Sequence, residues 1–234
     1  MSSYDPNPEG VCYKCVTVLW WRLSARYEWL VTRIVPQADA FFATCISFVP
    51  HGPIRVLELG SGTGYATVQL LRHNPKAQIT CLDFSREMIE AARAKPALRE
   101  VRFIEADIRG AWPEDRFDVI FTTLCLHHLS PVERRSILQR ARGALRRNGR
   151  LINGDIFKPA SRWEESLIRQ RWLTSLREKG LSHTDANEML AKLRRNMRCF
   201  DTLDAHLADL QGAGFHRLVC PWTCEMSAIF VGFR

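Results

Sequence analysis

No apolar run in this 234-residue chain is long enough to cross a bilayer. The longest near the N-terminus, "VTVLWW" from Val16 to Trp21, falls far short of the roughly 20 residues a span needs. The opening "MSSYDPNPEG" has no basic flank and no apolar centre, so no secretory leader is expected there. Its polarity reads as a mobile tail over residues 1–15. The eight cysteines form no regular framework, and a chain of this size does not need staples. A reducing cytoplasm is the expected compartment. Internal repeats and low-complexity tracts are absent, which excludes solenoids and linker proteins. The glycine-rich loop is not followed by Lys and Ser/Thr, which excludes a P-loop.

What is present is the composition of a folded domain: 46% hydrophobic, 25% charged and 10% aromatic residues. Apolar positions at Val16, Trp20, Leu23, Tyr27, Leu30 and Ile34 recur at helical spacing and predict an amphipathic helix ended by Pro36. "DAFFATCISFV" predicts a second, so that residues 16–50 form a helical cap. Strands then alternate with helices. "IRVLELG", "AQITCLD", "VRFIEAD", "FDVIFTTLCL" and "RLINGDIF" read as strands of a parallel sheet. The helix before the last of these is marked by an N-cap at Ser130, Pro131 in the first turn and Glu133 closing a capping box, with Asn148-Gly149 as its stop. Residues 158–200 carry helix signals only and read as a helical lid inserted over the sheet. "HRLVCPW" and "MSAIFVGF" end the chain as an antiparallel pair. The expected fold is a Rossmann-like α/β/α sandwich of seven strands, its core formed by residues 51–157 and 201–234.

The stretch "RVLELGSGTGYAT" places Gly60, Gly62 and Gly64 directly after a buried strand. Glycines there let the backbone turn tightly and approach a ligand, and the following helix offers free N–H groups. A dinucleotide fingerprint would want a small residue where Tyr65 stands. Glu58, two residues before the first glycine, would repel a pyrophosphate and attract an ammonium group. Asp83 ends the second strand, where an acid takes ribose hydroxyls. Asp107 ends the third and is placed to accept from an adenine amino group. An amine, a ribose and an adenine without phosphate fit this set.

In "VLELGSGTG", "CLDFSREMIEAAR", "FIEADI", "FDVIFTTLCLHHL" and "ALRRNGRLINGDI", in that order and spacing, the chain resembles a class I S-adenosylmethionine-dependent methyltransferase over about residues 54–157. The resemblance implies S-adenosyl-L-methionine as cofactor. Glu58, Gly60, Ser61, Gly62 and Gly64 would border its methionine part, Asp83 and Phe84 the ribose, Asp107 and Ile108 the adenine, with Thr123 and Leu124 beside them. "RIVPQADAFFATCISFV" and "MRCFDTLDAHLADLQGAGF" are further similar to the subgroup containing the carboxy-S-adenosylmethionine synthases. Gln37 and Ala38 replace that subgroup's tyrosine, and Ala191 stands where it has an arginine, with Lys192, Arg194 and Arg195 nearby.

Methyl transfer asks the protein to position the acceptor and, if the acceptor carries a proton, to supply a base. The candidates are His127 and His128 in "LCLHHLS", expected to face opposite ways in an extended segment, together with Asp155 at the end of the fifth strand and Tyr27 on the inward stripe of the first helix. Both histidines as plain loop residues is an equal alternative. Cys12/Cys15 and Cys220/Cys224 have poor zinc spacing, and no metal is expected. The net charge of +8 gathers in two places. Glu133–Arg150 holds seven arginines, read mainly as a solvated face, and Ser161–Phe200 holds nine Lys/Arg against five acids. The second group sits over the site and suggests a small, anionic acceptor. A tRNA-modifying or carboxylated-donor enzyme and a non-catalytic cofactor binder are the alternatives.

Overall fold

The computed structural model describes residues 24–234. The tail, the first turns expected of the N-terminal helix with "VTVLWW", and Cys12 and Cys15 lie outside the described residues.

Two helices come first, α1 (Ser24–Ile34) and α2 (Ala38–Ser47). Then β1 (Arg55–Leu59), α3 (Tyr65–His73), β2 (Gln78–Asp83), α4 (Arg86–Arg93), β3 (Arg102–Glu105), β4 (Phe117–Thr123), α5 (Pro131–Ala144) and β5 (Leu145–Ile156) alternate. The helices α6 (Arg162–Glu178), α7 (His183–Asn196) and α8 (Leu203–Gly212) precede the closing strands β6 (Arg217–Cys224) and β7 (Ser227–Phe233). The sheet order is β3-β2-β1-β4-β5-β7-β6. The first five strands pair in parallel, and β7 runs antiparallel between β5 and β6. This is the expected seven-stranded sandwich.

The central strands read as near-continuous apolar runs because helices cover both faces. On one face Phe41, Phe42, Leu70 and Ile89 from α2, α3 and α4 pack against the sheet. On the other, Ile137, Leu138 and Leu210 from α5 and α8 do so. Burying a side chain of that size contributes about 1.5–3 kcal/mol, so each layer is held chiefly by these contacts. The order reverses between β1 and β4, and the carboxyl ends of the strands on either side form a crevice there.

Two local expectations are corrected. The capping box at Ser130 and Glu133 is present, but α5 stops at Ala144 rather than at Asn148-Gly149. Leu145 is fully buried and pairs with Phe117, so strand pairing takes over from the helix. Asn148, with φ 65°, and Gly149 form a turn inside β5, where a Cβ on Gly149 would lie 2.9 Å from the Arg146 carbonyl. The arginines of α5 are also less solvated than expected. Arg134 is buried, Arg140 donates to the Arg109 carbonyl (2.7 Å) and Arg142 to that of Gly214 (2.6 Å).

Helices α6 and α7 fold back on α1. Trp172 Nε1 donates to the Ile34 carbonyl (2.8 Å), and Lys179 Nζ reaches the carbonyls of Arg33 (3.3 Å) and Val35 (3.2 Å). Leu176, Leu181 and Ala186 form a small core of their own beneath them.

Candidate active site

A cavity of about 1020 Å³ opens at the switch point, beneath α1. Of the residues the sequence singled out, Tyr27, Gly60, Gly62, Asp83, Phe84, Asp107, Ile108, Leu124, His127 and His128 line it. Glu58, Ser61, Gly64, Thr123 and Asp155 do not. Cys125, Met88 and Val31 also line it and carried no sequence signal beyond their neighbours.

The three glycines have positive φ but different reasons for it. A Cβ on Gly60 would overlap the Cys125 sulfur, and one on Gly64 would come within 2.5 Å of Leu98 Cδ1. Only Gly62 faces open space, with Tyr27 Cε1 its nearest neighbour at 3.9 Å. Close packing therefore demands two of the glycines, and one leaves the backbone bare to the cavity. Glu58 lies behind the loop, where its Oε2 accepts from Thr67 Oγ1 (2.7 Å). Burial pushes its carboxyl up to about 7.

Asp83 ties the loop to β2. Its Oδ2 accepts from the Gly62 amide (2.7 Å) and its Oδ1 from the Ser85 amide (2.9 Å). Asp107 is gripped by Arg109 Nε (3.0 Å) and Nη2 (2.5 Å), and Arg109 Nη1 reaches Glu133 (2.8 Å) in the cap of α5. Burial raises the Asp107 carboxyl, but the Arg109 bonds outweigh it and hold the group below the usual carboxylate range. The helix α1 closes over the loop. Glu28 accepts from Thr63 Oγ1 (3.0 Å) and pairs with Lys95, which also donates to the Thr63 carbonyl (2.6 Å).

The histidines do not face opposite ways. They sit on a 3₁₀ turn (Leu126–His128) instead of an extended segment, and both rings border the same cavity, 3.9 Å apart between centroids. Asp155 stands behind them. Its Oδ1 lies 2.5 Å from His127 Nδ1, and its Oδ2 accepts from the His127 amide (3.1 Å). Burial raises the Asp155 carboxyl, but the His127 contact outweighs it and leaves it below its ordinary value. This bond assigns Nδ1–H as the donor and leaves Nε2 as the basic ring nitrogen.

A second cavity of about 710 Å³ shares Ile34, His127, His128 and Ile156 with the first. Its other walls come from α6, α7 and the β6–β7 turn, including Trp172, Met189, Phe200, Glu225 and Met226. Among the described residues no lysine or arginine lines either cavity. Nor does any group of three or more His, Cys, Asp or Glu among them have metal-binding proximity. Cys220 and Cys224 both lie on β6. His183 is exposed, whereas His206 is buried between Phe157 and Phe230.

The family model described as "Methyltransferase domain" matches residues 56–149. The carboxy-S-adenosyl-L-methionine synthase of Aeromonas salmonicida is 32% identical over 167 residues, 69% of this chain and 67% of that protein. The chain belongs to the class I S-adenosylmethionine-dependent methyltransferases. This methyltransferase is also 40% identical over 83 residues to the malonyl-[acyl-carrier protein] O-methyltransferase of Bacillus anthracis, which is 36% of this chain but only 31% of that protein's length. Among solved structures, a DhpI–SAH complex matches with a TM-score of 0.67 at 17% identity, over 97% of this chain and 98% of the other. An O-methyltransferase family protein from Burkholderia thailandensis matches at 0.60 and 16%, over 91% and 57%. The family's cofactor is S-adenosylmethionine. The first cavity suits it, with carboxylates at two strand ends, apolar walls at Met88, Ile108 and Leu124, and bare backbone at Gly62.

Proposed function

We propose that this methyltransferase transfers the methyl group of S-adenosylmethionine to a small acceptor held in the second cavity, with His127 as general base. The observation that carries this reading is the His127–Asp155 pair on the wall common to both cavities. S-adenosylmethionine supplies a methyl group already activated on a cationic sulfur. What the protein adds is alignment, exclusion of water and removal of one proton. His127 Nε2 takes the proton from the acceptor's hydroxyl, and Asp155 stabilises the imidazolium that forms. In the first cavity Asp83 accepts from the ribose hydroxyls, Asp107 and Ile108 border the adenine, and the loop at Gly62 borders the methionine part. Glu58 acts through the loop that it underlies. Tyr27 and α1 serve as the cap, and α6 with α7 as the lid.

The walls favour a neutral, largely apolar acceptor over the anionic one that the charge count suggested, because a carboxylate there would be buried without a counter-charge. The arginines of α5 are engaged with backbone carbonyls, which argues against a nucleic-acid acceptor. The test is an acceptor screen that follows S-adenosylhomocysteine release, with simple phenols included. Turnover that His127→Ala abolishes while donor affinity persists supports the reading. Donor binding without turnover on any acceptor favours the non-catalytic alternative.

The identity to the Aeromonas synthase over two thirds of both chains favours a second reading, a carboxylated donor. It needs a cation for the extra carboxylate, and none lines the cavities among the described residues. Mass spectrometry of the nucleoside that co-purifies separates the two readings.

A further inference from the structure

Glu225 stands at the far wall of the second cavity, in the two-residue turn between Cys224 and Ser227. The turn gives it φ 53°, a conformation that tight hairpins usually assign to glycine. Its side chain is only 13% exposed. One carboxylate oxygen, Oε1, lies 3.5 Å from the exposed Arg171. The other, Oε2, is buried with no hydrogen-bond partner. Buried carboxylate oxygens are rarely left so, and a carboxylate can only accept.

The register fixes Glu225 relative to the base. Asp155, which holds His127, pairs with Ala228, and the Phe157 amide donates to the Met226 carbonyl (2.7 Å). Glu225 is three residues from Ala228 along the strand, on the order of 10 Å at strand rise. Between the two ends the walls are Trp172, Met189 and Phe200.

We infer that the second cavity takes an apolar, ring-sized acceptor with a hydroxyl at one end and an amino group at the other, the amino group held by Glu225. This rests on reading that cavity as the acceptor site. The hydroxyl meets His127, the ring lies against the apolar walls, and the amine donates to Oε2. Glu225 is then a specificity residue that does no chemistry. A carboxylate in place of the amine is rejected by like charge.

The experiment uses the full-length protein saturated with S-adenosylhomocysteine and titrated calorimetrically with tyramine, 4-ethylphenol and 3-(4-hydroxyphenyl)propionate. Tyramine is expected to bind about tenfold more tightly than 4-ethylphenol, as one charge-assisted hydrogen bond allows, and the propionate more weakly than either. Glu225→Gln is expected to remove the tyramine advantage and leave 4-ethylphenol unchanged. Equal binding of the first two, a preference that survives Glu225→Gln, or binding of none of the three overturns the inference. The preliminary titration with S-adenosylhomocysteine keeps the failures apart: no binding there overturns the methyltransferase reading itself.

Discussion

One carboxylate, that of Asp155, holds both the ring and the backbone of His127, at 2.5 Å to Nδ1 and 3.1 Å to the amide. A strand end thereby sets the tautomer and the position of a residue on a neighbouring turn. Phe200, at the end of the lid, packs edge-on against the same ring (5.2 Å between centroids).

Replacing Asp155 with asparagine leaves the shape but removes the charge that favours the imidazolium. The expected result is a turnover loss of about 10²–10⁴-fold, similar to that of His127→Ala, with donor affinity within about threefold of wild type. His128→Ala should cost far less. Steady-state rates and calorimetry on the three variants check this, and equal losses at His127 and His128 would contradict the assignment.

The glycine loop yields an ordered pair of outcomes. Gly60→Ala drives a methyl group into the Cys125 side chain at positive φ and should cost roughly 2–4 kcal/mol of stability. Adding Cys125→Gly should recover part of that loss. Gly62→Ala meets no neighbour closer than 3.9 Å; it should cost about 1 kcal/mol and show mainly as weaker donor binding. Denaturant melts and donor titrations of each variant separate the two effects.

The placing of these glycines marks what could be read in the sequence. The strands, their order-reversing crevice and the three strand-end acids were legible, because buried strands, glycine turns and helix caps are local signals. That Gly60 and Gly64 answer to Cys125 and Leu98 was not, since those contacts come from distant elements. The same holds for the histidines: a 3₁₀ turn replaced the extended segment, and adjacency then meant a shared face. The end of α5 was misread because Leu145 is drawn into pairing with Phe117, a tertiary demand that overrides the Asn-Gly signal. Glu225 gave no signal at all, because its position depends on the hairpin register.

Two buried groups give the ligand-free protein a pH dependence of opposite signs. Glu58 is raised from 4.5 to about 7 by burial. The folded state holds its proton more tightly, so this contribution to stability is full below the lower value and is lost as pH rises through the upper one. His206 is lowered from 6.5 to about 4, first by burial. Its contribution is full above the higher value and is lost as pH falls through the lower one. Glu58→Gln should therefore raise the Tm near about pH 8 by the equivalent of roughly 3 kcal/mol and do little in acid. His206→Phe should flatten the acid limb. Melting curves across the range read both slopes, and an unchanged alkaline limb in Glu58→Gln would count against the buried carboxyl.

The most direct test of the cofactor site is calorimetric titration of wild type and Asp83→Ala with S-adenosylmethionine and S-adenosylhomocysteine. Asp83 both lines the cavity and fastens Gly62, so its loss removes a ligand contact and loosens the loop. Wild type should bind one equivalent of either compound, and the variant should bind at least about tenfold more weakly. No binding by wild type, or equal affinity in Asp83→Ala, would contradict the assignment of this cavity.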